Sequence, residues 1–315
     1  MNCKNMKEKF KTIYSKLNSV DSALVSDPYT LQGDDFCLDF RRQEFWGWKI
    51  AFAFFFGDVG AGFFLFSSFY NFYPGMILGW IMATFFKPAA LFMHLGQPLR
   101  FWRAAMHPGS SWITRGFSLT VGFSFFGLLH MLNYSNIFGT VFSNFIYGLT
   151  IITALGTIIY LGFVLSYSPA IKLWNSGLMP IICLNYGLLG GVTLLILFGY
   201  HAFLIDNPQT LHMLKVLELG LVLYGIVLIL SFIHGAVYSG KSGKISVKLL
   251  FTEYKSWFVI GVIGVGLILT AILMYSGSLS IAVLLTIAIA ELIGDIGFKI
   301  TLFKAGTYEP ILYHS

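Results

Sequence analysis

Residues 45–70 read FWGWKIAFAFFFGDVGAGFFLFSSFY, a stretch in which Lys49 and Asp58 are the only charged side chains. It exceeds the roughly 20 apolar residues that one α-helix needs to cross the hydrocarbon core of a bilayer. Lipid offers the backbone no hydrogen bonds, so such a stretch must satisfy its own N–H and C=O groups as a helix. Further apolar runs follow at 75–95, 113–133, 137–165, 176–201, 210–238, 256–276 and 279–302. Together they predict an all-α, polytopic membrane protein with about eight transmembrane helices. Two four-helix bundles are expected, over 44–166 and 167–305. A polar N-terminal segment, 1–43, precedes them and a short C-terminal tail, 306–315, follows. The run at 137–165 is long enough to include an interfacial turn.

Composition agrees. Hydrophobic residues make up 57% of the chain and charged residues 11%, against roughly 25% charged in ordinary soluble domains. The 32 Phe, 16 Tyr and 7 Trp are the load that lipid-facing surfaces and interfacial belts carry. The net charge of +6 does not point to nucleic acid, because the cations fall between the apolar runs and report topology. Cys3, Cys37 and Cys183 are far apart with no C-x-x-C. They match no familiar iron–sulfur spacing and form no disulfide framework.

The first 43 residues contain no apolar stretch that would serve as a signal peptide. Within them Phe10, Ile13, Tyr14, Leu17, Val20 and Leu24 recur at helical spacing among Lys7, Lys9, Lys11 and Lys16. That pattern predicts a basic amphipathic helix on the membrane face, on a partner, or packed on the protein's own surface. With an even number of crossings, both termini share a side with the loops at 96–112, 166–175 and 239–255. That side carries Arg41, Arg42, Arg100, Arg103, Lys172, Lys241, Lys244, Lys248, Lys255 and Lys304, whereas the opposite connections near 71–74, 134–136, 202–209 and 277–278 have no Lys or Arg. The positive-inside rule puts both termini in the cytoplasm.

Charge inside a span costs at least about 2.5 kcal/mol on insertion scales, so each such residue is a functional candidate. Asp58 lies roughly 20 Å and Lys87 roughly 13 Å from the basic side at 1.5 Å per residue. A lysine stem can bridge that difference, so an Asp58–Lys87 ion pair is one expectation and a proton or quinone contact the other. Glu218 lies in the sixth run. Glu291, Asp295 and Lys299 in the eighth are four residues apart and share one helix face. Asp295–Lys299 reads as a satisfied pair, while Glu291 has no local partner and is the better relay candidate. Asp58, Lys87, Glu218, Glu291 and Asp295 are therefore the candidate proton path. Glycine clusters at Gly57–Gly60–Ala61–Gly62, Gly187–Gly190–Gly191 and Gly261–Gly264–Gly266 read as close helix packing. His94 and His234 near one side, and His130, His201 and His212 near the other, leave a di-heme cytochrome b as one alternative. An ion-coupled secondary transporter is another, suggested by the intramembrane acids.

The most informative motif is Phe92-Met93-His94-Leu95-Gly96-Gln97-Pro98-Leu99-Arg100-Phe101-Trp102-Arg103, followed by Ser110-Ser111-Trp112-Ile113-Thr114-Arg115-Gly116. A helix should end at Gly96, with Pro98 enforcing an extended turn. The next span should begin at Ser110 or Ser111, both good N-cap residues. The result is a cationic, aromatic shelf at the membrane surface, suited to a planar headgroup or an acidic partner. This pattern, H-L-G-(R/Q)-P-x-R-x-W and then S-W-hydrophobic-(S/T)-(R/W), resembles the NrfD/PsrC-type membrane subunits of polysulfide reductase and the related dimethyl sulfoxide reductase anchor. Residues 46–62 are similar to that family's first helix, and the likeness extends over about 43–305.

The resemblance implies a heme-free subunit that exchanges electrons between menaquinone or ubiquinone and a ferredoxin-like iron–sulfur protein. That protein would in turn be bound to a molybdopterin catalytic subunit, so the metal centres lie on partner chains. It implies a quinone pocket among the first four helices, with His94, Arg100, Trp46, Lys49 and Gln43 as its residues. Arg100, Trp102 and Arg103 become the docking surface. Gln97 stands where arginine is commoner, and Asp58 where a small residue is usual.

Overall fold

A computed structural model describes residues 40–107, 109–134, 139–275 and 280–309. The amphipathic pattern at 7–24, Cys3, Cys37 and most of the C-terminal tail lie outside them. Eight helices are long and apolar enough to span a membrane. In chain order they are α1 (Trp48–Phe69), α2 (Tyr73–Phe92), α3 (Trp112–Leu132), α4 (Thr140–Ser166), α5 (Met179–Leu204), α6 (Pro208–Tyr238), α8 (Ser256–Tyr275) and α9 (Ile281–Lys304). The short α7 (Lys241–Phe251) lies between α6 and α8. Each apolar run of the sequence thus becomes one crossing. One expectation needs correction, and another falls partly outside the described residues: α4 is continuous from Thr140 to Ser166, the chain leaves Gly139 at φ +80°, and residues 137–138 of that run are not described. Pro98 does not begin an extended segment: Pro98–Ala105 forms a 3-10 helix, entered from Gln97 at φ −136° and ψ 78°.

α1 is the central element, packing against α2, α4, α5 and α9, while α3 pairs with α4 and α8 with α9. Small residues allow the closest of these contacts. A Cβ on Gly62 would lie 1.9 Å from the carbonyl oxygen of Gly187, and one on Gly191 would lie 2.4 Å from Gly62, so α1 and α5 meet backbone to backbone. The largest apolar cluster draws on both halves of the chain, from Ile50 and Phe54 through Tyr160 and Tyr186 to Phe298 and Phe303.

The basic side is tied together by the described chain ends. Arg42 bridges Thr307 and Ile171 bridges Tyr308, so the two ends share one face. Buried Gln43 donates to the Trp46 and Phe303 carbonyls at 2.5 and 2.7 Å and accepts from the Trp46 N–H at 2.8 Å. The Trp174 indole donates to Leu302 O at 2.8 Å. The Trp46, Trp174 and Phe303 rings pack together at 5.4–5.9 Å.

Wide π-turns interrupt the helices in informative places. In α2 the turn Met82–Phe86 immediately precedes Lys87-Pro88, and the Lys87 N–H bonds five residues back, to Met82 O. Proline has no N–H and its ring crowds the carbonyl four residues before it, so the ladder must open near this point.

Candidate functional site

Two polar regions stand out, one at the basic surface and one inside the bundle. At the surface, α2 ends at Phe92 and its last turn carries His94, half-buried, whose N–H bonds Leu91 O at 3.0 Å. Lys49, in the first turn of α1, donates from Nζ to Met93 O at 3.0 Å. The start of the first crossing is thereby fastened to the end of the second, next to His94. The 3-10 helix then turns back, with the Phe101 ring 5.1 Å from that of Phe92. Arg100 and Arg103 are exposed on it, and Trp102 is half-exposed with the Arg103 guanidinium 5.8 Å from its ring. Ser111 caps α3 by accepting from the Thr114 N–H at 3.4 Å. Trp112 stacks on Phe163 at 4.4 Å, and the Arg115 guanidinium lies 4.6 Å from the Trp112 ring centre. Among the residues that the resemblance assigns to quinone binding, Lys49 is fastened beside His94, and Arg100 lies on the 3-10 helix that follows. Gln43 and Trp46 belong instead to the knot with Phe303 and Trp174.

The interior region is larger. Asp58, Lys87, Glu218, Glu291, Asp295 and Lys299 are all at most 3% exposed. The expected Asp58–Lys87 ion pair does not form. Lys87 runs across Gly57, where a Cβ would lie 2.7 Å from its Cδ. Its ammonium donates to Thr120 Oγ1 at 2.9 Å and sits 4.4 Å from the Tyr160 ring centre. One residue along a helix turns about 100°, so Asp58 points elsewhere, to Lys299 of α9 at 3.5 Å. Lys299 also pairs with Asp295, as the four-residue spacing predicts. Apart from the ion pair with Lys299, no described residue makes a hydrogen bond to either oxygen of Asp58 or to Asp295 Oδ2.

Two helical turns toward the N-terminus of α9, Glu291 meets Thr193 of α5, which also contacts Glu218 of α6. Sequence reasoning named both acids but missed Thr193, and it missed Lys299 as the partner of Asp58. Many threonines here simply bond the carbonyl one turn back, as Thr150 and Thr157 do, so nothing in the chain marks Thr193 as different.

The histidines are dispersed. His130 Nε2 is 2.7 Å from Ser68 Oγ and its ring stacks on Tyr147 at 5.0 Å, while His234 packs on Tyr238. Among the described residues no group of three or more His, Cys, Asp or Glu is arranged to hold a metal ion.

A comparison with curated proteins gives no match. The family model described as "Polysulphide reductase, NrfD" matches residues 39–309. That span takes in all eight crossings, the His94 turn and the buried charges, and the chain belongs to the NrfD polysulphide reductase family.

Proposed function

We propose that this multi-pass membrane protein is the quinone-interacting subunit of a reductase complex. In this reading it passes electrons between menaquinone or ubiquinone in the bilayer and a ferredoxin-like iron–sulfur subunit, itself attached to a molybdopterin catalytic subunit. Membership of the NrfD family fits a membrane subunit of such a complex. The observation that carries the finer reading is the Lys49–Met93 link beside His94, below a cationic, tryptophan-bearing helix.

A quinone supplies the two-electron, two-proton couple, and the residues at this corner suit its headgroup. His94 offers a ring nitrogen to one carbonyl at the end of α2, where the span meets water. Lys49 holds the two helix ends together and adds positive charge. Arg100, in the first turn of the 3-10 helix, stabilises electron density arriving on a quinone oxygen. Gln43 and Trp46 act from beneath by fixing where α1 begins. Arg100, Trp102 and Arg103 form the face toward the acidic partner, since exposed charges steer encounter. By the positive-inside rule this face and both termini are cytoplasmic.

The test is binding of a soluble quinone analogue to the purified chain, followed by tryptophan fluorescence. His94→Ala is expected to weaken binding roughly 2- to 13-fold, the value of one hydrogen bond of about 0.5–1.5 kcal/mol. It should leave membrane insertion intact. Unchanged affinity in a correctly inserted variant removes His94 from the site. Recovery of an iron–sulfur protein with the chain after mild detergent extraction tests the partner separately.

A further inference from the structure

The hydroxyl of Thr193 faces three acceptor oxygens and has a single proton to offer them. Oγ1 is 2.7 Å from Leu189 O and 2.9 Å from Glu218 Oε1, and it also makes a hydrogen bond with Glu291 Oε2. A hydroxyl has one proton to give and two lone pairs to receive. If it donates to either glutamate, the other can bond it only as a protonated acid. If it donates to Leu189, both glutamates must be protonated. In each arrangement at least one carboxyl carries a proton. The same conclusion follows from position, since two bare carboxylates in a dry interior repel each other at high cost.

A second observation extends the site along α9. Glu291 Oε1 and Asp295 Oδ2 are buried without hydrogen-bond partners among the described residues. Their residues are one turn apart on one face of the helix, about 6 Å along its axis. Buried polar atoms of this kind are ordinarily satisfied by internal water. Asp295 is in turn paired with Lys299, which contacts Asp58. The charged groups therefore run from α1, through α9, to the Thr193 bridge on α5 and Glu218 on α6. Lys215 stands one turn before Glu218, partly exposed, toward the end of α6 that adjoins the connections without Lys or Arg.

We propose that Glu218 and Glu291, bridged by the Thr193 hydroxyl, hold an exchangeable proton, and that this proton reaches the Asp58–Lys299–Asp295 network along α9. The second half of the chain then carries a proton site of its own, separate from the His94 corner. Thr193 is a positioning residue: it holds the two acids at sharing distance. Asp295 is the connecting group.

Infrared spectroscopy of the full chain in lipid nanodiscs at neutral pH tests this without quinone or partner. A carbonyl stretch from a protonated carboxylic acid should be present and should move in D2O. It should vanish in the Glu218→Gln/Glu291→Gln double variant. Thr193→Val should shift the band to higher frequency by removing its bridge, and Thr193→Ser should restore it. Should the double variant fail to assemble, the valine and serine variants decide the matter alone. A wild-type spectrum without the band, or a band indifferent to Thr193→Val, overturns the site. Asp295→Asn should slow deuterium exchange at the band, and an unchanged rate overturns the connection.

Discussion

Arg100 and Arg103 stand exposed on one short helix at the surface, whereas Lys299 is buried between carboxylates from α1 and α9. The surface turn is assembled from neighbours in sequence: Pro98 sets its backbone, Phe101 leans on Phe92, and Trp102 flanks Arg103. The interior depends on residues far apart in the chain, such as Asp58 and Lys299, that meet only after the helices pack. Charge at the surface remains hydrated and contributes little to stability, whatever it recognises. Charge in the interior has lost its water and depends on its partner for compensation. The two regions should therefore answer mutation in opposite ways.

The largest effect is expected from Lys299→Met, which keeps the side chain's bulk but leaves Asp58 and Asp295 without their shared cation. Breaking one side of a buried ion pair costs about 3–5 kcal/mol. Thermal unfolding of the variant in detergent should show a correspondingly large loss. A variant as stable as the wild type would mean that the interior charges are not organised around α9.

Lys87→Met sharpens the contrast within the interior itself. Lys87 is as buried as Lys299, yet its ammonium reaches a hydroxyl and a ring rather than a carboxylate. Removing it strands only the Thr120 hydroxyl, which still donates to Gly116 O at 2.9 Å. The expected loss is about 1 kcal/mol, the scale of one hydrogen bond. Double-mutant cycles with Asp58→Asn separate the two lysines. Coupling of at least about 1 kcal/mol is expected with Lys299→Met and much less with Lys87→Met. The reverse order would restore the Asp58–Lys87 pair that the sequence suggested.

That mistaken pair marks where sequence reading stops. Each of the eight crossings could be read directly, because a run of apolar residues carries its own reason for being a helix in lipid. The Ser111 cap, the Asp295–Lys299 pair and the close glycine packing of α1 on α5 were equally legible, since each depends on short spacing or on small residues alone, whereas Gly261 and Gly264 meet no neighbouring helix closely. The depth of Asp58 and Lys87 could also be estimated. Their direction around the helix could not, because it depends on how α1 is rotated against α5 and α9. Thr193 was invisible for the same reason: its two acids come from α6 and α9. Gln43 was noticed through family likeness, but its hydrogen bonds to Phe303 and Trp46 belong to the closure of the chain ends.

The smallest expected change in stability is at the surface, and it is the most discriminating for function. Arg100→Ala and Arg103→Ala remove charges that take no part in any ion pair found among the described residues. Surface substitutions away from caps and buried networks leave the fold nearly unaffected, so the unfolding midpoint should match that of the wild type. Association with an acidic partner should nonetheless slow, and its dependence on salt should become shallower, because rim charges act mainly on encounter rate. Arg100→Ala should in addition weaken quinone-analogue binding, whereas Arg103→Ala should not, since only Arg100 is assigned to both tasks. Measuring partner association across a salt series for the two variants separates these roles. If both arginines can be removed without effect on association or on analogue binding, the cationic turn is only a membrane anchor, and the electron-exchange face must lie elsewhere on the protein.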